Sequence, residues 1–279
     1  MTERQRLKSQ RILIYVFFAL LTFLSIAPFW VVLVNATRST EQIQQGFSLL
    51  PGSSFIKNWQ FLKGKGFNIF QGYGNSFIIA AGSTILSMYF SSLTAYAITV
   101  YDFRGKKFVN GLILFLIMMP PQVNIIGFYR FMGQLNLLNS YIPLIIPSIA
   151  SASNVFFMQQ YLETIYQPAY LDSARIDGAK ELKIFHSIIL PQMKPAIATM
   201  SLFAFVQSWN NFLMPLILIN DRGKYTLPML VQLLTTDTYR TEYGSMYLGL
   251  GLAIIPLIIV YLFLSREIVG GVTAGGIKG

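Results

Sequence analysis

Seven ionisable side chains fall within the 22 residues YLDSARIDGAKELKIFHSIILP (170–191): Asp172, Arg175, Asp177, Lys180, Glu181, Lys183 and the only histidine, His186. Carboxylates and cations gathered at this spacing make a charged helical face. They do not make a catalytic centre, because no G-x-S-x-G elbow exists elsewhere, and His186 reads as a surface residue rather than a general base. A second group carries no charge: Gln207, Trp209, Asn210 and Asn211 in FVQSWNNFLMPLIL (205–218), with Asn154 in an earlier apolar run. Amides exchange hydrogen bonds with sugar hydroxyls and an indole face stacks on a pyranose ring, so this set has the chemistry to line a polar path. The same amides can instead bond helix to helix. With no Cys and one His, thiolate and His-rich metal sites are excluded. Gly271 to Gly276 is the nearest approach to a phosphate-cradling loop, but Ile277 stands where the motif needs Lys, so no nucleotide site is encoded.

The elements that must hold these groups are apolar. Of 279 residues 54% are hydrophobic and 11% charged, and the mean hydropathy is +0.54, the composition of a polytopic membrane protein. Six runs without Asp, Glu, Lys or Arg, near 12–35, 75–100, 108–129, 142–161, 195–219 and 246–265, are each long enough for a ~30 Å hydrocarbon core. The first follows Arg4, Arg6, Lys8 and Arg11 and is too long for a signal h-region, so it reads as an uncleaved span. Six spans place both ends on one side, which then collects 13 Lys and Arg against 8 on the other. By the positive-inside rule the termini are cytoplasmic. The formal charge of +10 is therefore a topology signal and gives no support to nucleic-acid binding.

On that orientation the charged segment is cytoplasmic. Pro168 suits a helix start, Gly178 a break and Pro191 a stop. Leu182, Phe185 and Ile189 share one helical face and Lys180, Lys183 and Ser187 another. Two roles fit this pattern: a helix in the headgroup layer with snorkelling lysines, or a docking element for a soluble partner. Elsewhere Ser83, Ser87, Ser91 and Ala95 form a small-residue ridge for close helix approach. Pro120 and Pro121 should kink the third run. The outer segment 36–74, with NWQFL, should hold a short interfacial helix.

DSARIDGAKELKIFHSIILP (172–191) resembles the cytoplasmic EAA loop of permeases from binding-protein-dependent ABC importers. Asp177, Gly178 and Ala179 match its D-G-A core, Ala174 its second alanine, and Phe185, Leu190 and Pro191 fall in register. Asp172 replaces the pattern's Glu, Ser173 its first Ala, and Ile165-Tyr166-Gln167-Pro168 its upstream Ile-Pro. AYAITVYDFRGKK (95–107), GQLNLLNSYIPLIIP (133–147), FVQSWNNFLMPLIL (205–218) and GGVTAGGIKG (270–279) are similar, in the same order, to segments of the MalG-type second permease subunit of carbohydrate importers.

The resemblance implies an all-α integral membrane protein of six transmembrane helices, N-in and C-in. Residues 1–279 would form one permease domain with its core at about 70–268, a coupling-helix loop at 162–194 between the fourth and fifth spans, and a cytoplasmic tail at 266–279. It implies ATPase docking by Asp172, Ser173, Ala174, Asp177, Gly178 and Ala179, a tail contact to the ATPase by Lys278, and a substrate path through Asn154, Gln207, Trp209, Asn210 and Asn211. The loop 220–245, with Asp221, Arg222, Lys224, Asp237, Arg240 and Glu242, would reach an extracytoplasmic solute-binding protein. The implied partners are a second homologous permease, two ATP-binding subunits that hold ATP and Mg2+, the binding protein, membrane lipid and a sugar, in a bacterial or archaeal plasma membrane. No cofactor is expected on this chain, and it is not expected to be an enzyme. A polyol or glycerophosphate remains an alternative solute. A stand-alone secondary transporter or channel is the alternative mechanism; the spans lack the intramembrane ionisable residues that ion-coupled carriers use.

Overall fold

The computed structural model describes residues 3–64, 67–234 and 242–275, with side chains described from Arg11 to Ser265 within those ranges, Pro121 excepted. The described residues are mostly helical and contain no strand. Two units emerge, residues 1–68 with 230–255, and 69–229 with 256–279.

In the first unit, α1 (Glu3–Ala36) is a long apolar helix, and Ile12, Phe17, Phe23 and Trp30 on it are exposed, as side chains solvated by lipid would be. Arg38 ends the run. It is buried, and its guanidinium donates to Asn35 Oδ1 (3.1 Å) and to the Gly46 and Gln42 carbonyls. Ser39 then caps α2 (Thr40–Gln44) in a reciprocal capping box with Gln42. The expected short helix in 36–74 is α3 (Phe55–Gly64). Its Asn58 amide donates to the Ala36 and Arg38 carbonyls (2.9 and 3.0 Å). A Cβ on Gly244 would stand 2.3 Å from the Arg38 carbonyl oxygen, so that close approach requires glycine.

The second unit is organised by α4 (Ile69–Val100), which contains no charged residue. Ser83, Ser87, Ser91 and Ala95 are buried along it, with Ser91 and Ala95 at 0% exposure; the ridge read from the sequence is where neighbouring helices pack. The third run splits into α5 (Lys106–Met118) and, after a 3-10 turn at Pro121–Asn124, α6 (Ile125–Gln134). The two halves meet at 86°, because Pro120 and Pro121 cannot supply helical N–H groups. Next come α7 (Ile142–Ile145), a 3-10 turn (Ile146–Ala150) and α8 (Ala152–Ile165).

The charged segment forms α9 (Pro168–Ile176), α10 (Glu181–Ile184), a π turn (Phe185–Ile189) and α11 (Leu190–Gln192). A 77° bend leads into α12 (Lys194–Trp209). After it come α13 (Leu213–Leu218), α14 (Leu227–Leu233) and α15 (Tyr243–Gly275), which carries the chain helically into the glycine-rich tail.

Among the described residues, four helical stretches are long and apolar enough to cross a membrane, or up to six when each bent pair counts as one span. One expectation needs correcting. The run 195–219 is not a continuous helix: α12 stops at Trp209. Pro215 explains the break, since its ring would collide with the carbonyl four residues earlier, on Asn211. Asn211 instead turns its Oδ1 to accept from the Met214 N–H (3.3 Å).

Candidate functional site

The charged segment is built as a rigid hairpin. α9 starts at Pro168, where a missing N–H is harmless. It ends in a Schellman motif: Gly178 has φ 77°, its N–H donates to the Arg175 carbonyl, and the Ala179 N–H donates to the Ala174 carbonyl, both at 3.0 Å. A Cβ on Gly178 would meet nothing within 4 Å, so within this chain the glycine answers to the left-handed backbone and not to crowding. Asp172, Ser173, Asp177 and Gly178 are exposed, while Ala174 and Ala179 are half-buried against the core beneath.

Beneath the hairpin lies an ion-pair network that sequence reasoning missed. Arg175 Nε donates to Glu181 Oε1 (2.9 Å) and its Nη1 to Asp172 Oδ1 (3.2 Å). The Tyr96 hydroxyl, from α4, donates to Glu181 Oε2 (2.7 Å), and Arg175 lies 6.0 Å over the Tyr101 ring. The Arg175 guanidinium, with the tyrosine hydroxyls, lowers the Glu181 carboxyl to about 2, so this joint between loop and α4 stays charged. Only a tyrosine at the end of a charge-free run signalled it, and that pattern is equally common in lipid-facing helices.

Aromatic packing completes the joint. Phe185 is fully buried, edge-on to Tyr89 (6.1 Å) and tilted against Tyr96 (5.6 Å). His186 Nδ1 donates to the Leu182 carbonyl (2.7 Å), leaving Nε2 to accept from Tyr89 (3.2 Å), so the lone histidine is an exposed member of the same contact. The apolar face differs from the expected one. Leu182 is 61% exposed, and Ile184, Phe185 and Ile189 form the buried side. The cause is the π turn, in which the Leu190 N–H reaches back five residues to the Phe185 carbonyl; one extra residue per turn rotates the face. That wider turn also lets helix continue through Pro191 to Gln192, where a stop was expected.

A second site is a polar cavity of about 200 Å³ between α4, α8, α12 and the turn after α7. Of the five expected path residues, Asn154, Gln207 and Asn211 line it, and Trp209 and Asn210 do not. Trp209 is 2% exposed, stacked between Phe205 (5.6 Å) and Tyr73 (6.2 Å), so both indole faces are covered within this chain. Asn210 is exposed at the C-cap of α12. Asn154 lines the cavity and also bonds helix to helix, donating to Ser87 Oγ (2.7 Å). Serines supply most of the remaining polarity: Ser83, bonded to Ser208 (3.0 Å), with Ser148 and Ser151. Sequence reasoning missed Ser148, Ser151 and Ser208, since serine is ordinary in packed membrane helices.

In loop 220–245 the described part is braced by asparagines. Asn139, at φ 56°, accepts the Asn220 and Asp221 N–H groups, Asn75 donates to the Gly223 and Tyr225 carbonyls, and Lys224 Nζ donates to the Asn139 carbonyl (2.7 Å). Asp237, Arg240 and Lys278 lie outside the described residues.

Residues 87–272 match the model of the binding-protein-dependent transport system inner membrane component family. The chain is 35% identical, over 96% of both chains, to the arabinooligosaccharides transport system permease protein AraQ of Bacillus subtilis (strain 168). It is 31% identical, over 99% of both, to the lactose transport system permease protein LacG of Rhizobium radiobacter. Its fold matches, at TM-score 0.79 and 23% identity, over 95% of this chain and 98% of the other, a chain in the crystal structure of a bacterial ABC transporter involved in the import of the acidic polysaccharide alginate. With most of its length matched by the family model, and relatives this similar end to end, the chain belongs to the inner-membrane permease components of binding-protein-dependent transport systems.

Proposed function

We propose that this chain is a permease subunit of an ATP-driven, binding-protein-dependent sugar importer of a bacterial or archaeal plasma membrane, with six spans and both termini in the cytoplasm. It forms the translocation path with a second homologous permease. Two ATP-binding subunits, which hold ATP and Mg2+, dock on residues 170–191, and Lys278 in the tail meets them. An extracytoplasmic solute-binding protein delivers an oligosaccharide through contacts that include the loop 220–245. The chain itself is a transport component and not an enzyme.

The observation that carries this reading is the double attachment of α4. One end is fastened to the loop by Tyr89 and Tyr96, and its middle supplies Ser83 and Ser87 to the polar cavity. A push on α9 and α10 is thus delivered to a cavity wall through a stiff helix instead of dissipating in a flexible connector. The arabinooligosaccharide transport named for AraQ and the lactose transport named for LacG support the solute class, as do the amides and hydroxyls of the cavity.

The test uses Asp177→Lys and Gly178→Leu, expected to insert normally, with retention of the ATPase on the purified permease pair and sugar uptake as readouts. Losing one side of a docked polar contact weakens association by about 1–3 kcal/mol, roughly 5-fold to 150-fold. Full ATPase retention and normal uptake in both variants would return the loop to a headgroup-layer helix.

A further inference from the structure

The cavity lining is polar but without charge. Its ten residues comprise five serines, two asparagines, one glutamine, a leucine and an alanine. Asn154 is 9% exposed and its amide is already bonded to Ser87, so it has no role as counter-charge. α4, which forms one wall, carries no Asp, Glu, Lys, Arg or His along its whole length. On α12, which forms another, the only charged residue is Lys194, ten or more positions before the lining residues Ala204, Gln207 and Ser208, about 15 Å at helical rise.

Neutral solutes and ions meet such a lining differently. A hydroxyl-rich neutral solute exchanges water for amide and serine partners at little net expense. A carboxylate, sulfate or phosphate loses hydration without meeting a cation, which is unfavourable by several kcal/mol per ion even after relaxation. An ammonium group loses as much, because no carboxylate faces it. From this we infer that the cavity is a charge filter: within the importer it passes neutral polyhydroxylated solutes and rejects uronic acids, sugar phosphates and glycerophosphate. This rests on the sugar-path reading and narrows it to an uncharged solute class.

The chain has no cysteine, so Ser148→Cys or Ser151→Cys introduces its only thiol. In the assembled complex, each variant is treated with three methanethiosulfonates of similar size: hydroxyethyl (neutral), sulfonatoethyl (anionic) and trimethylammonium-ethyl (cationic). Mass spectrometry of this chain follows the rate, and each rate is divided by the same reagent's rate with 2-mercaptoethanol in solution. The neutral reagent should exceed both charged ones by about tenfold or more after this correction, the equivalent of only ~1.4 kcal/mol. An anionic reagent that keeps pace with the neutral one at both positions would overturn the filter, including the case in which the second permease supplies a cation there; Asn211→Leu uptake would then still test the sugar path separately. If no reagent reaches either thiol in the native complex, although both react after denaturation, the cavity is sealed and both readings of it fall.

Discussion

The loop at 170–191 gathers seven ionisable side chains, whereas the cavity lining has none, although both are built on α4. At the loop, charge is wanted: Glu181 sits between Arg175 and Tyr96 and ties two helices by hydrogen bonds to an ionised oxygen. At the cavity it is avoided, and neutral groups such as Asn154 and Ser87 satisfy one another. The difference follows from what each region holds. On the proposed reading, a joint that transmits force would benefit from strong, oriented contacts, and a wall along a solute path from many weak and interchangeable ones.

The largest effect should come from Glu181→Ala. It removes the acceptor shared by Arg175 Nε and the buried Tyr96 hydroxyl, and uptake should fall at least about tenfold, since losing such partners costs on the order of 1–3 kcal/mol. The chain should still insert, because no spanning segment changes. Wild-type uptake would show that the joint carries no force. Asn211→Leu comes next: uptake of the cognate sugar should drop severalfold with complex assembly intact, as measured by copurification. Unchanged uptake kinetics would make Asn211 purely the acceptor for the Met214 N–H.

Tyr96→Phe sharpens the contrast, since it removes one hydroxyl and keeps the ring against Phe185. Its uptake defect should be smaller than that of Glu181→Ala, and the double variant should show little additional loss, because both changes break the same contact. Full additivity would separate the two residues. The smallest effect concerns pH. Glu181 is held at about 2, below its ordinary 4.5, so its stabilising contribution is complete above ~4.5 and fades as pH falls toward 2. The melting difference between wild type and Glu181→Gln, measured on the purified complex, should therefore be flat from pH 8 to 5. A slope in that window would mean that Glu181 titrates as an ordinary carboxyl.

Local chemistry made part of this legible. Asp177-Gly178 announced a helix break, and the Schellman hydrogen bonds are what such a pair forms. The serine ridge on α4 and the paired prolines at 120 and 121 likewise act through neighbours in the chain. What stayed hidden depends on distance in sequence: Tyr96 and Glu181 are 85 positions apart, and no periodicity links them. The π turn was hidden for a different reason, since face assignments assume 3.6 residues per turn and this one is wider. The placement of the Trp209 indole was not legible because its chemistry suits a sugar as well as it suits Phe205 and Tyr73, against which it packs.

The length of α4 brings the lipid into the linkage. Its 32 residues extend ~48 Å, against a hydrocarbon layer of ~30 Å. A helix that outruns the slab must tilt or protrude, and Tyr96 lies four residues from its end. With α4 as a span, a thin bilayer would leave the Tyr96–Glu181 joint in the headgroup zone, where an ionised carboxylate is comfortable. A thicker one draws that carboxylate toward hydrocarbon or forces α4 upright, at fractions of a kcal/mol per Å. Acyl-chain length thereby becomes a control variable for this machine: the same subunits reconstituted in lipids of different thickness should transport at different rates.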